Sequence, residues 1–240
     1  MKVRIAYLEE PPFYWTASDG SVTGADIELA DVTLRAIGVS TIEHQAVAFD
    51  ELLSGVQLGR WHMNVPIFVT AERAKQVAFS RPVWALSDGF LVRAGNPKAL
   101  TSYETLASRT DARLGIVQGQ VQHASAKSLG VRDDQIVIFK DQAAAVAALQ
   151  AKDVDAYAAT ALGNRVLVRE AADLEAVALD TSKRPPLVGA FSVSKDNLGL
   201  LTAVNEQLRR YLGSSDHLSR MEKYGLTRTE IDAVRSGTSP

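Results

Sequence analysis

The sequence predicts an α/β fold built as two similar lobes, each around a largely parallel sheet. Three observations carry this expectation. Apolar strand-sized runs alternate with amphipathic helical runs along most of the chain. The breaker Gly95-Asn96-Pro97 interrupts that rhythm, after which it restarts. A weak internal echo links the halves: residues 53–64 and 146–157 both read as helix, turn, strand, with Gln57 and Gln150 at the helix ends. The chain has 240 residues, enough for two units of about a hundred residues each. The expected boundaries put residues 1–93 and 188–240 in lobe one and 94–187 in lobe two, with hinge segments near 90–95 and 185–192.

The elements follow in order. Residues 3–8 read as a buried strand, and Pro11-Pro12 forces an extended turn after it. Asp19-Gly20 marks a tight turn. Residues 26–37 carry Ile27, Leu29, Ala30, Val32, Leu34 and Ile37 at helical spacing, with Gly38 as C-cap. A strand at 42–47, a short helix at 49–58 and a strand at 63–69 follow. Thr70 suits the N-cap of a helix at 71–77, with Glu72 in its first turn. Strands are then expected at 89–92, 114–117, 135–139, 154–158, 174–178 and 188–193, and helices at 122–129, 143–150, 198–211 and 218–224.

Composition narrows the function. Hydrophobic residues make up 46 % and charged residues 22 %, with a net charge of −2, so the basic footprint of a nucleic-acid binder is missing. No window reaches the roughly 18 apolar residues of a membrane span. With no cysteine, disulfides, thiolate metal sites and a cysteine nucleophile are excluded. His44, His62, His123 and His217 lack metal-site or triad spacing, and no Gly-rich phosphate loop occurs. No cofactor or metal is expected. The opening Met1-Lys2-Val3-Arg4-Ile5 reads as a strand and not as an export signal, so either the protein is cytoplasmic or the signal has been cut away.

The ordered set Pro11-Pro12-Phe13, Gly24-Ala25-Asp26-Ile27-Glu28-Leu29-Ala30, Thr70-Ala71-Glu72-Arg73-Ala74-Lys75 and Phe79-Ser80-Arg81-Pro82 resembles the polar-amino-acid solute-binding proteins of ABC importers. The likeness runs on through residues 115–122, 149–158 and 221–226, and so covers nearly the whole chain. It implies the two-lobed type II periplasmic binding protein fold, with a hinge and a ligand cleft between lobes. It further implies a periplasmic monomer that delivers a small carboxylate-bearing ligand to a membrane permease and is not an enzyme. The family's carboxylate-gripping arginine falls on Arg73. Its planar fork of donors matches a carboxylate, and a helix's first turn adds backbone N–H groups. The plain alternative is a surface arginine on a helix.

Several positions depart from ordinary amino-acid binders. Phe68 stands where those have a small hydroxyl residue, Thr160 where they have the aspartate that pairs with the α-ammonium, and Val121 where they have a threonine. His62 replaces an acid at a structural turn. These departures resemble the ectoine/hydroxyectoine-binding branch, whose cage falls on Glu10, Phe13, Phe49, Phe68 and Arg73. The chemistry is coherent: aromatic faces attract a delocalised cation at about 0.5–2 kcal/mol per contact, Glu10 accepts from an amidinium and Arg73 holds the carboxylate. A betaine or proline derivative satisfies much of the same cage, and core packing is the plain alternative for the phenylalanines. Thr70 belongs to the same strand end. In lobe two, Gln118-Gly119-Gln120 leaves a strand for a helix and offers backbone donors, with Thr160, Tyr157 and Asn164 as further candidates. Competing readings are an ordinary polar-amino-acid binder, a dehydratase-like enzyme with Glu10 as its acid, and a receptor's sensory domain. The expected mechanism is hinge closure, with lobe one binding first.

Overall fold

The computed structural model describes residues 1–180 and 185–235. Residues 181–184 of the expected second lobe and 236–240 of the first lie outside the described residues. The chain divides into two compact units: Met1–Ala85 with the described part of 187–240, and the described part of 86–186.

In chain order, unit one begins with β1 (Lys2–Tyr7), the hairpin β2 (Trp15–Thr16) and β3 (Val22–Thr23), α1 (Ala25–Ala36), β4 (Thr41–Ala46), α2 (Phe49–Gln57), β5 (Met63–Phe68), α3 (Ala71–Gln76), β6 (Ala78–Phe79) and β7 (Trp84–Leu86). Unit two follows with β8 (Asp88–Arg93), α4 (Tyr103–Ser108), β9 (Leu114–Val117), α5 (Gln122–Ser128), a 3₁₀ turn (Asp133–Gln135), β10 (Ile136–Phe139), α6 (Gln142–Gln150), β11 (Ala156–Thr160), α7 (Ala161–Leu167) and β12 (Leu174–Ala178). The chain returns to unit one through β13 (Leu187–Val193), α8 (Leu198–Tyr211), α9 (Ser215–Glu222) and α10 (Arg228–Arg235).

Among the described residues, the sheet of unit one runs β4-β1-β5-β13-β6, with β7 also on β13. β1 pairs in parallel with β4 and β5, and β13 runs antiparallel to β5 and β6. β5 is buried along its whole length although it contains Pro66, which has no N–H to donate. The register of β13 against it shifts between Ala190 and Ser192, so the bulge falls opposite the proline stretch.

The sheet of unit two runs β10-β9-β11-β8-β12, parallel at β10-β9-β11 and antiparallel at β8. The topologies correspond, strand for strand, over the first four positions. The echoed segments are α2 leading to β5 and α6 leading to β11, each strand lying parallel to the first strand of its own parallel set. Both faces of the second sheet are buried. Phe90, Val92, Leu114, Ile116, Ala156 and Ala158 build one core, and Leu91, Val117, Tyr157, Ala159 and Leu149 build the other. That is the period-two alternation of a strand covered on both sides.

The structure differs from the sequence reading at several places, among them the short strands β2, β3, β6 and β7, which the sequence does not announce, and the helix expected at 218–224, which lies at Ser215–Glu222. β8 was assigned with lobe one but pairs with β11 and β12, which moves the first crossing to 85/86; an apolar run shows that a strand exists but not which sheet takes it. The strand expected at 154–158 lies at Ala156–Thr160. The helices α4, α7 and α10 were not expected. α4 is under two turns long and α7 contains Gly163, so neither shows a strong apolar period.

Candidate functional site

The site of unit one starts from a pinned loop. α1 opens at Gly24, whose φ of 129° a side-chain-bearing residue rarely adopts and whose added Cβ would collide with the Phe13 carbonyl. The close approach lets the first helical amides reach the loop. Ala25 N–H donates to Pro12 O at 3.0 Å and Asp26 N–H to Phe13 O at 2.9 Å. Within the loop, Glu10 and Tyr14 form a bridge, and the Tyr14 hydroxyl donates to Glu10 Oε2 at 3.3 Å. Burial and the Glu10 charge push the Tyr14 hydroxyl well up, so it stays a donor.

Phe49 opens α2, Phe68 ends β5 and Thr70 caps α3 by accepting from Arg73 N–H at 3.2 Å. The Arg73 side chain is 7 % exposed. One guanidinium nitrogen donates to Phe68 O at 2.7 Å, and the group lies 5.0 Å from the centre of the Phe49 ring. Burial pushes the guanidinium down to about 10, while the negative ends of Tyr14 and Glu10 pull it back up. It is a full cation at neutral pH, held in a low-dielectric place where an anion gains most from meeting it. Glu10, Phe49, Phe68, Thr70 and Arg73 are therefore brought together around one cation. Phe13 and Phe68 are buried, and Phe49 is half-buried.

Sequence reasoning missed Asp26 and Trp84. Phe13 and Phe68 both pack on Trp84, at 6.0 Å and 5.3 Å between ring centres. The Trp84 Nε1–H donates to Asp26 Oδ1 at 3.0 Å. Asp26 shares the buried face of α1 with Leu29, Ala30 and Thr33, and an acid at that helical spacing was the available signal. Glu10 is thus not the only acid near the site.

The candidates of unit two are engaged otherwise. Gln118 and Gly119 are exposed, and Gly119 has a φ of 80°. The Gln118 amide donates to Phe139 O at 2.9 Å and the Gln120 amide to Val117 O at 3.2 Å, so the expectation of Gln120 as a backbone donor is corrected: its amide closes the turn. Thr160 is buried and caps α7, accepting from Gly163 N–H at 3.0 Å. Tyr157 lies in the core. Asn164 is fully buried, and neither side-chain polar atom has a hydrogen-bond partner among the described residues. Asp88, half-buried at the start of β8, accepts from Gln122 at 2.8 Å and from Tyr103 at 3.1 Å.

A buried arginine beside an aromatic ring and an acid, in a fold of two α/β units, is the arrangement of a small-solute binding protein. The model of the bacterial extracellular solute-binding proteins, family 3, matches residues 3–227, and the chain belongs to that family. Among relatives, it is 27 % identical over 248 residues to the probable amino-acid ABC transporter periplasmic-binding protein y4tE of Sinorhizobium fredii, spanning 99 % of this chain and 81 % of that one. The structure is similar to that of EhuB in complex with hydroxyectoine, with 25 % identity, a TM-score of 0.86, and coverage of 99 % and 95 % of the two chains. It is also similar to an ancestral arginine-binding protein bound to glutamine, with 25 % identity, a TM-score of 0.81, and coverage of 93 % and 97 %.

Proposed function

We propose that this chain is the periplasmic solute-binding component of an amino-acid-type ABC importer, that it captures ectoine, hydroxyectoine or a related cyclic zwitterion, and that it hands the ligand to a membrane permease. The observation that carries the reading is Arg73: a buried cation seated on the Phe49 ring and the Phe68 carbonyl, with Glu10 close by. In this reading the guanidinium takes the ligand carboxylate, the aromatic faces take its delocalised cation and Glu10 accepts from the cation's N–H groups. The hydroxyectoine complex of a similar protein supports the ligand class. The amino-acid importer named among the relatives supports the transport role.

The test is a thermal-shift screen, followed by calorimetry, with ectoine, hydroxyectoine, glycine betaine, proline betaine, proline, arginine, glutamine and glutamate. A ligand at a hundred times its dissociation constant stabilises by about 2.7 kcal/mol, which raises the melting temperature by several degrees. Shifts confined to ectoines or betaines are expected. Shifts confined to ordinary amino acids would overturn the ligand class and leave the transport role. A flat response to the whole panel would overturn the ligand class and turn the search to sugar acids, opines and the dehydratase-like reading.

A further inference from the structure

Phe13 and Phe68 share one support. Phe68 meets the Trp84 ring edge-on at 85°, and Phe13 meets it tilted at 39°. The indole is held in turn from two sides. Its N–H donates to Asp26 Oδ1, from a carboxyl in the first turn of α1 that is 0 % exposed. Its six-membered ring lies against Gly189, where an added Cβ would overlap ring carbons Cη2, Cζ3 and Cζ2. Gly189 is the register partner of Phe68 across β5 and β13, and its carbonyl accepts from Val83 N–H at 2.8 Å. An indole fixed at both ends has little freedom to slide, and rings packed on it inherit its position.

The chemistry of the Asp26 contact is also specific. Oδ1 accepts from a neutral indole, and Oδ2 has no hydrogen-bond partner among the described residues. Burial pushes the carboxyl well up; the indole N–H opposes this and the charge of Glu10 adds to it. A neutral acid keeps the hydrogen bond to Trp84 without placing a second anion near Glu10.

We propose that Trp84, locked between Asp26 and Gly189, is the positioning residue that sets the placement of Phe13 and Phe68, and that this placement selects a flat ring cation over a flexible linear one. The selectivity half rests on the ligand reading above; the positioning half does not.

The two halves separate experimentally. The protein is labelled with 4-fluorophenylalanine, and the Phe13 and Phe68 fluorine resonances are assigned by leucine replacement. Trp84→Leu and Gly189→Ala should move both resonances. Asp26→Leu should move them too, while Asp26→Asn, which keeps an acceptor for the indole, should restore the wild-type positions. Unmoved resonances in Gly189→Ala, whose added Cβ would overlap the indole ring, would overturn the positioning role, as would equal effects of Asp26→Asn and Asp26→Leu. Calorimetry with hydroxyectoine and arginine as probes then reads selectivity. Gly189→Ala should lose about tenfold or more for hydroxyectoine and under about threefold for arginine. Equal losses would overturn the selectivity claim. Wild-type protein that binds neither probe would sink the ligand reading and the selectivity claim with it, while the fluorine shifts still decide the positioning claim.

Discussion

Unit one carries its candidate residues on three separate elements and a loop, and they contact one another: Arg73 on Phe49 and Phe68, Tyr14 on Glu10, and both buried phenylalanines on Trp84. Unit two has comparable strand ends, but apart from Asn164, whose side chain lacks a hydrogen-bond partner among the described residues, several of its candidate polar groups serve their own backbone. Thr160 caps α7, and the amides of Gln118 and Gln120 hold a strand end and a turn. The difference extends to the acids, one half-buried and one buried. Asp155 of unit two meets Arg93 and Lys98, each at 3.0 Å, and the Arg113 amide at 2.9 Å, and these partners outweigh its burial to hold the carboxyl below its usual range. Asp26 of unit one meets an indole and is held above that range. Equivalent topology therefore does not imply equivalent use: the first unit gathers a buried guanidinium, an acid and aromatic rings at one place, and the second ties Asp155 to cations of its own.

Arg73→Ala tests that contrast most severely. It should lower affinity for any carboxylate ligand by about a hundredfold or more, the order expected for losing a charged hydrogen-bond partner in a buried site; wild-type affinity in calorimetry would end the model of unit one. Next is Asp155→Asn, which should cost about 2 kcal/mol of stability in urea at neutral pH, because Arg93 loses this carboxylate and Lys98 keeps only Asp111 among the described acids. Since the folded carboxyl lies below its unfolded value, this contribution is present above about pH 4 and lost as the pH falls through the folded pKa. Phe68→Ser should weaken a cyclic cation by about 1 kcal/mol and a linear amino acid less, read by parallel titrations. Thr160→Ala should cost about 1 kcal/mol of stability, as for a lost helix cap; an affinity loss larger than its stability loss would return Thr160 to the ligand site.

The smallest effect is expected from Asp26→Asn. The folded carboxyl lies above its unfolded value, so the wild type loses stability as the pH rises from about 4 through the folded pKa. The variant does not titrate. It should therefore match the wild type at acid pH and equal or exceed it at pH 7.5 in paired melting curves. A variant that falls below the wild type at pH 7.5 would show that the native acid is ionised.

Much of unit one was legible in the sequence because its signals are local. Thr70 before Ala71-Glu72-Arg73 states its own cap, and the structure makes the bond from Arg73 N–H to Thr70 Oγ1. The mostly apolar run from Met63 states a strand, and Phe68 at its end falls beside Arg73. What was not legible depends on pairings across long stretches of chain. Nothing near Trp84 in sequence says that Asp26 accepts from it, or that Gly189 leaves room for its ring. Nothing in the apolar run of β8 says that it pairs with β11. Gln120 illustrates the opposite failure, since a glycine turn after a strand signals available amides, and only the register of hydrogen bonds shows them occupied.

The bounds of unit one carry a consequence for the order in which the chain folds. Unit two is a continuous stretch set into the middle of unit one, and it holds every strand of its own sheet. The sheet of unit one is completed only by β13, an interior strand that joins β5 to β6 and supplies Gly189 beneath Trp84. As the polypeptide emerges from the ribosome, unit two can close on itself while β5 and Trp84 still await their partner. The aromatic support of the candidate site can therefore be assembled only after unit two has been made, and it closes across a stretch of chain that contains the whole of that unit.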